Sequence, residues 1–187
     1  MLAYEVSFLA YKLCKDMPIT FIEIGSGSGI VSLYLVKQML KNGCYNVFGI
    51  LTDMSPCAVL SSRDSAKSND LDIYLDVVQC DSASCLRSEV ARIVLFNPPY
   101  LPVNEYESWL EIAWSGGEKG INTWSKFFKD SIQVCLRGCY TVFVFSTLQD
   151  MLAIFAELEK VCEDIDIASC ESFFYETICV AICRLGA

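Results

Sequence analysis

The chain has 187 residues, 53% of them hydrophobic, a formal net charge of −9 and no histidine. That length suits one domain with a substantial core. The negative charge opposes unaided binding to nucleic acid, which depends on Lys and Arg neutralising phosphates, and the missing histidine removes the commonest general base and every Ser-His or Cys-His arrangement.

Mean hydropathy is +0.39, high for a soluble chain, and points to apolar surface covered by a partner. No apolar run reaches the roughly 18 to 20 uncharged residues of a membrane span. The opening segment lacks a basic leader and carries Glu5, so neither a transmembrane helix nor a signal peptide is expected. Eleven cysteines are spread along the chain. None forms a Cys-x-x-Cys pair, and Cys135/Cys139 and Cys179/Cys183 lie in apolar patterns. The spacing argues against structural zinc and for buried reduced thiols, hence for a cytoplasmic or nuclear compartment.

In chain order, residues 4 to 14 show helical periodicity and Met17-Pro18 ends that helix. Residues 19 to 24 read as a buried strand, followed by the turn Gly25-Ser26-Gly27-Ser28-Gly29 and a helix from about Ile30 to Lys41, closed by Asn42-Gly43. A second strand covers 46 to 52 with Asp53 at its carboxyl end. Ser55 as N-cap and Pro56 at N1 start a helix reaching about Lys67. The third strand covers Ile73 to Gln79 and exits at Cys80-Asp81; the fourth covers Arg92 to Phe96 and exits into Asn97-Pro98-Pro99-Tyr100. An irregular stretch from 101 to about 120 precedes a helix over 121–136 and an apolar strand over 139–145. Thr147 is the expected cap of a helix over 148–162, and strands near 165–171 and 177–184 form a hairpin. Strands alternating with helices predict one α/β domain with a seven-stranded, mostly parallel, doubly wound sheet and a C-terminal antiparallel hairpin. Residues 1–17 are a short N-terminal helix, 19–90 a ligand-binding half and 91–187 a substrate half.

In such sheets ligands bind beyond the carboxyl ends of the strands. Glu23 with Gly25, Gly27 and Gly29, then Asp53, Asp81 and Asn97 all fall there. The turn lacks the Lys-Ser/Thr of a phosphate-binding loop and has Ile30 where a dinucleotide fingerprint places its third glycine. A plain strand-to-helix turn is the bland alternative, as is helix capping for Asp53 and an ordinary loop acid for Asp81. Asp53 has the acceptors to hold both hydroxyls of a ribose, and Asp81 those to take an adenine amino group. At the fourth strand, the side-chain carbonyl of Asn97 and the backbone carbonyls of Asn97 and Pro98 offer acceptors for a planar –NH2 group. Pro98 and Pro99 hold the backbone in one shape, and Tyr100 offers a ring to pack on the substrate.

This order of motifs resembles the class I methyltransferases that use S-adenosylmethionine. The resemblance implies that Glu23, Gly25, Gly27 and Gly29 surround the methionine part, Asp53 holds the ribose, Asp81 the adenine, and Asn97 adjoins the cofactor. Asn97-Pro98-Pro99-Tyr100 resembles the subset that methylates adenine amines or glutamine amides, which implies catalytic roles for Asn97, Pro98 and Tyr100 and substrate contacts from all four residues. Residues 111–120, which include Trp114-Ser115-Gly116-Gly117, and the run Trp124 to Phe128 resemble the HemK-like glutamine methyltransferases, closest to the eukaryotic and archaeal branch. That branch acts on the Gly-Gly-Gln glutamine of class I translation release factors and works with a small zinc-binding activator subunit. The third strand, an edge in the expected order and apolar over 71–79, is where that subunit is expected to add a strand. Where the branch carries a proline and an acidic pair, this chain has Tyr4-Glu5-Val6-Ser7. An adenine N6-methyltransferase and a non-catalytic scaffold of the same fold are the competing readings. No metal ligands and no direct nucleic-acid contact are expected.

Overall fold

The computed structural model describes residues 1–102 and 114–186. Five helices and seven strands alternate: α1 (Leu2–Leu13), β1 (Ile19–Ile24), α2 (Ile30–Lys41), β2 (Val47–Asp53), α3 (Pro56–Ser68), β3 (Leu75–Gln79), β4 (Ala91–Phe96), α4 (Asn122–Val134), β5 (Cys135–Ser146), α5 (Met151–Leu158), β6 (Cys162–Ser172) and β7 (Thr177–Leu185), all counted among the described residues. The sheet order is β3-β2-β1-β4-β5-β7-β6. The first five strands run parallel, and β7 is antiparallel to both β5 and β6. The expected doubly wound sheet with its terminal hairpin is what the chain forms, with β3 at one edge.

Period-two alternation divides the core between the two faces of the sheet. Ile19, Phe21, Ile93, Leu95, Val142 and Val144 face α1, α2 and α3. Ile22, Ile24, Val94, Phe96, Phe143 and Phe145 face α4 and α5. The central strands carry apolar residues on both sides because helices cover both faces. Large fully buried side chains such as Trp124, Phe21 and Phe143 contribute roughly 1.5–3 kcal/mol each. Gly49 in β2 exists for packing: a Cβ there would run into the Phe21 ring. No helix among the described residues is long and apolar enough to cross a membrane.

Two local expectations are corrected. The last helix is capped by Asp150, whose side chain accepts from Ala153 N, and it ends at Leu158 rather than Cys162. Thr147 instead accepts from the backbone N–H of Thr177 at 2.9 Å, tying the end of β5 to the start of β7. The cysteines are also not isolated thiols. Ten of the eleven pair, as Cys14–Cys44, Cys80–Cys85, Cys135–Cys139, Cys162–Cys183 and Cys170–Cys179, leaving Cys57 free and exposed. Pairing follows from tertiary placement that spacing does not reveal: the β6–β7 register sets Cys170 opposite Cys179. The cysteines therefore no longer argue for a reducing compartment.

Candidate functional site

The carboxyl ends of β1, β2, β3 and β4 lie side by side, so the four motifs meet at one rim. Beyond β1, Gly25 N and Ser26 N donate to Thr52 O at 2.8 and 3.0 Å, and Gly29 N donates to Ser26 O at 2.8 Å. Gly25, Gly27 and Gly29 all have positive φ (69°, 57° and 75°). Gly27 is the informative one, because nothing among the described residues lies within 4 Å of the position a Cβ would take. Its backbone is open to a ligand while clamped from behind: its N–H donates to Asp53 Oδ2 at 2.9 Å and its carbonyl accepts from Ser62 Oγ at 2.9 Å. Asp53 Oδ1 accepts from Ser55 N at 2.9 Å. Asp53 thus fastens the glycine turn to the start of α3, where Ser55 caps as expected, and keeps unused lone pairs for a diol.

Glu23 points to the α2 side of the sheet, is only 5% exposed, and accepts from Ser32 N at 3.1 Å and from Ser32 Oγ. Burial pushes its pKa from 4.5 to about 7, the Ser32 bonds oppose the rise and the Asp53 charge adds to it. The carboxylate anchors the first turn of α2, so its influence at the rim is electrostatic and positional. Asp81, exposed after β3, forms an ion pair with Lys126 of α4. Ser84 Oγ donates to the Asp81 carbonyl at 2.8 Å, and the Cys80–Cys85 disulfide brackets the loop.

Register pairs Ile24 with Phe96, which sets Asn97 beside Gly25. Asn97 is exposed, Pro98 buried, and Pro99 and Tyr100 half-buried. Burial raises the Tyr100 pKa, and the Glu176 charge raises it further. The backbone beyond the motif is held by the glycine-rich segment. Leu101 N donates to Trp114 O at 3.1 Å and Gly116 N to Leu101 O at 2.8 Å. A Cβ on Gly120 (φ 70°) would collide with the Tyr100 carbonyl, so only glycine lets the two backbones touch. The Gly120 carbonyl accepts from the buried Gln149 Nε2 at 2.7 Å, while Gln149 Oε1 accepts from Ser146 N at 2.9 Å. Residues 111–113 of the motif segment lie outside the described residues.

Lys126, Phe127, Gln149 and Glu176 were not individually foreseen. The run 124–128 carried the signal, and the structure shows why it has that composition. Trp124 and Phe128 stack on each other, 4.9 Å between centroids, and bury against Phe143. The residues between them turn to the rim, Lys126 to Asp81 and Phe127 to the space a Cβ on Gly25 would occupy. Among the described residues no group of three His, Cys, Asp or Glu is placed to hold a metal ion.

The family described as "Methyltransferase small domain" matches residues 6–114. Methyltransferase HEMK2 of Homo sapiens is 32% identical over 111 residues, covering 57% of this chain and 50% of that protein. The eRF1 methyltransferase catalytic subunit mtq2 of Schizosaccharomyces pombe is 31% identical over 115 residues, covering 55% of this chain and 48% of that protein. The chain thus spans about half the length of the curated relatives it matches. Among solved structures, the E. cuniculi Mtq2–Trm112 complex responsible for methylation of the eRF1 translation termination factor matches with a TM-score of 0.68 at 17% identity, covering 99% of this chain and 95% of that one. At that identity the likeness establishes the fold, which is the one expected.

Proposed function

The chain belongs to the methyltransferase small domain family, and on that premise we propose that it transfers a methyl group from S-adenosylmethionine to the side-chain amide nitrogen of the glutamine in a Gly-Gly-Gln loop of a class I translation release factor. The observation that carries the reading is the placement of Asn97 beside the open Gly27 turn, with Pro98 buried behind it. The rim fits the cofactor. Gly27 leaves its backbone approachable, Asp53 and Asp81 stand after successive strands, and among the described residues the Asp81 carboxylate is held by an exposed ion pair with Lys126, worth about 0–1 kcal/mol and readily exchanged.

Bound there, S-adenosylmethionine supplies an electrophilic methyl group on a sulfonium. An amide nitrogen attacks poorly because its lone pair is delocalised into the carbonyl. The Asn97 side-chain carbonyl and the Pro98 backbone carbonyl accept its two N–H hydrogens, which draws electron density onto nitrogen and aims its lone pair at the rim. Tyr100 packs on the flat amide. Burial and the Glu176 charge both hold its phenol protonated. As the nitrogen bonds to the methyl carbon, the carbon–sulfur bond would break and leave a neutral thioether; the nitrogen would release its proton to water afterwards, so no strong base is needed and the absence of histidine is no obstacle.

The names of the relatives, including an eRF1 methyltransferase subunit, support the glutamine substrate over adenine. So does the −9 charge, which disfavours holding a nucleic-acid strand. The proposal includes a small zinc-binding activator that adds a strand at β3, supported by the edge position of β3 and by exposed Ile73 beside it. A cytoplasmic reaction, where a release factor would be met, is part of the same proposal. The test is transfer of labelled methyl to a release factor, with and without an activator subunit. Label is expected on the factor, reduced at least a hundredfold by Asn97→Ala; undiminished label with Asn97→Ala would remove the motif from the chemistry.

A further inference from the structure

The turn joining β6 and β7 displays three consecutive aromatic side chains to solvent. Phe173 is 54% exposed, Phe174 100% and Tyr175 93%. Nothing in the fold requires them there, since β6 and β7 complete their pairing without them. The turn is also firmly built. Phe173 N donates to Glu176 O at 2.7 Å, the Ser172 and Thr177 hydroxyls meet at 3.0 Å, and the Cys170–Cys179 disulfide joins the strands just behind. Aromatic rings held out on a closed, cross-linked turn have lost much of the freedom that binding would otherwise remove, which is how interface anchors are presented.

Their position relates them to the amide-binding motif. Because β7 is antiparallel to β5, its start lies at the carboxyl end of the parallel strands. Glu176 accepts from Ser146 Oγ at 2.6 Å, and Ser146 N is bonded to Gln149, which holds Gly120 against the Tyr100 carbonyl. The charge of Glu176 is felt at Tyr100. The tip and the substrate motif are therefore two ends of one bonded chain of residues. The charge beside the tip has one sign: Glu171 and Glu176 flank it on the two strands, and no Lys or Arg lies between Lys160 and Arg184 in the sequence.

We infer that the β6–β7 tip docks the body of the protein substrate, gripping an apolar patch flanked by Lys or Arg side chains while the glutamine loop enters beside Asn97. The identity of the docked protein rests on the glutamine-methylation reading; the acidic surround supports a basic protein surface over nucleic acid, whose phosphates it would repel. The tip supplies affinity for the folded substrate and takes no part in methyl transfer.

The test compares a whole release factor with a short Gly-Gly-Gln peptide as substrates for the wild type and for a Phe174→Ser/Tyr175→Ser double variant, each assayed together with the activator subunit, with melting temperature confirming the fold. The expected result is a KM for the whole factor raised at least tenfold, equivalent to about 1.4 kcal/mol, with kcat and the KM for the peptide unchanged. A KM for the whole factor within twofold of wild type overturns the inference and leaves the proposed chemistry standing. Where the wild type transfers no methyl at all, the proposed chemistry falls, and titration calorimetry of the release factor against both chains still decides: equal affinities overturn the docking. A wild-type dimer that the double variant dissolves assigns the tip to self-association, which also overturns it.

Discussion

Glu23 is ionisable, almost fully buried and paired with a neutral serine rather than a cation, so the fold should be more stable when this carboxyl is protonated. Its pKa is raised from 4.5 to about 7 by burial. A raised carboxyl pKa means that the folded chain binds the proton more tightly than the unfolded chain. The associated stability is complete below about pH 4.5 and is lost as pH rises through about 7. Integrated between the two pKa values and measured from about pH 5.5 to about pH 8, the loss is about 2 kcal/mol. For a chain of this size that is about 4 to 8 °C in melting temperature. The perturbation is Glu23→Gln, whose amide oxygen can still accept from Ser32 but does not titrate. Melting curves of both chains across the pH range are the assay, read as the difference between variant and wild type, so that every other titrating group cancels. The variant should gain on the wild type steadily as pH rises. A difference that stays constant from about pH 5.5 to about pH 8 would refute the argument from burial.

Three further outcomes are expected. Gly120→Ala places a Cβ against the Tyr100 carbonyl at a φ of 70°, so it should cost about 1–3 kcal/mol and lower kcat by displacing the motif, with cofactor affinity unchanged by calorimetry. Lys126→Met leaves the fold within about 1 kcal/mol, because its ion pair is exposed, and by releasing Asp81 should tighten S-adenosylmethionine severalfold; weaker binding would remove Asp81 as the adenine acceptor. Thiol counting in denaturant should find one maleimide-reactive cysteine, Cys57, before reduction and all eleven afterwards, read by mass spectrometry. Eleven labels without reductant would contradict the pairing.

Much of the architecture was legible because local signals and tertiary demands agree in this chain. β1 and α2 fall where periodicity placed them, and Ser55-Pro56 starts α3 by side-chain capping. The last helix misled because Thr147 is as good a cap by type as Asp150, and only the β5–β7 contact decides between them. No glycine or proline follows Leu158 before Cys162 to mark the helix end, so sheet pairing rather than propensity turns Cys162 into strand. At the site, the residues that stand at strand ends were readable from position: Gly27, Asp53, Asp81 and Asn97. Glu23 was readable as important but not as an anchor for Ser32, since its partner lies across a turn on a helix whose rotation the sequence does not state. Lys126 and Gln149 come from distant elements and meet the rim only through packing. The disulfides were missed for the same reason.

In the proposed reaction a glutamine amide held at Asn97 receives the methyl group. Its most direct test is tandem mass spectrometry of a release factor after incubation with this chain, the proposed activator subunit and S-adenosylmethionine. One added methyl is expected on the side-chain nitrogen of the Gly-Gly-Gln glutamine, absent when that glutamine is replaced by asparagine and when Asn97 is replaced by alanine. Methyl found on a lysine, or on an adenine of an RNA substrate offered in the same mixture while the glutamine stays unmodified, would contradict it.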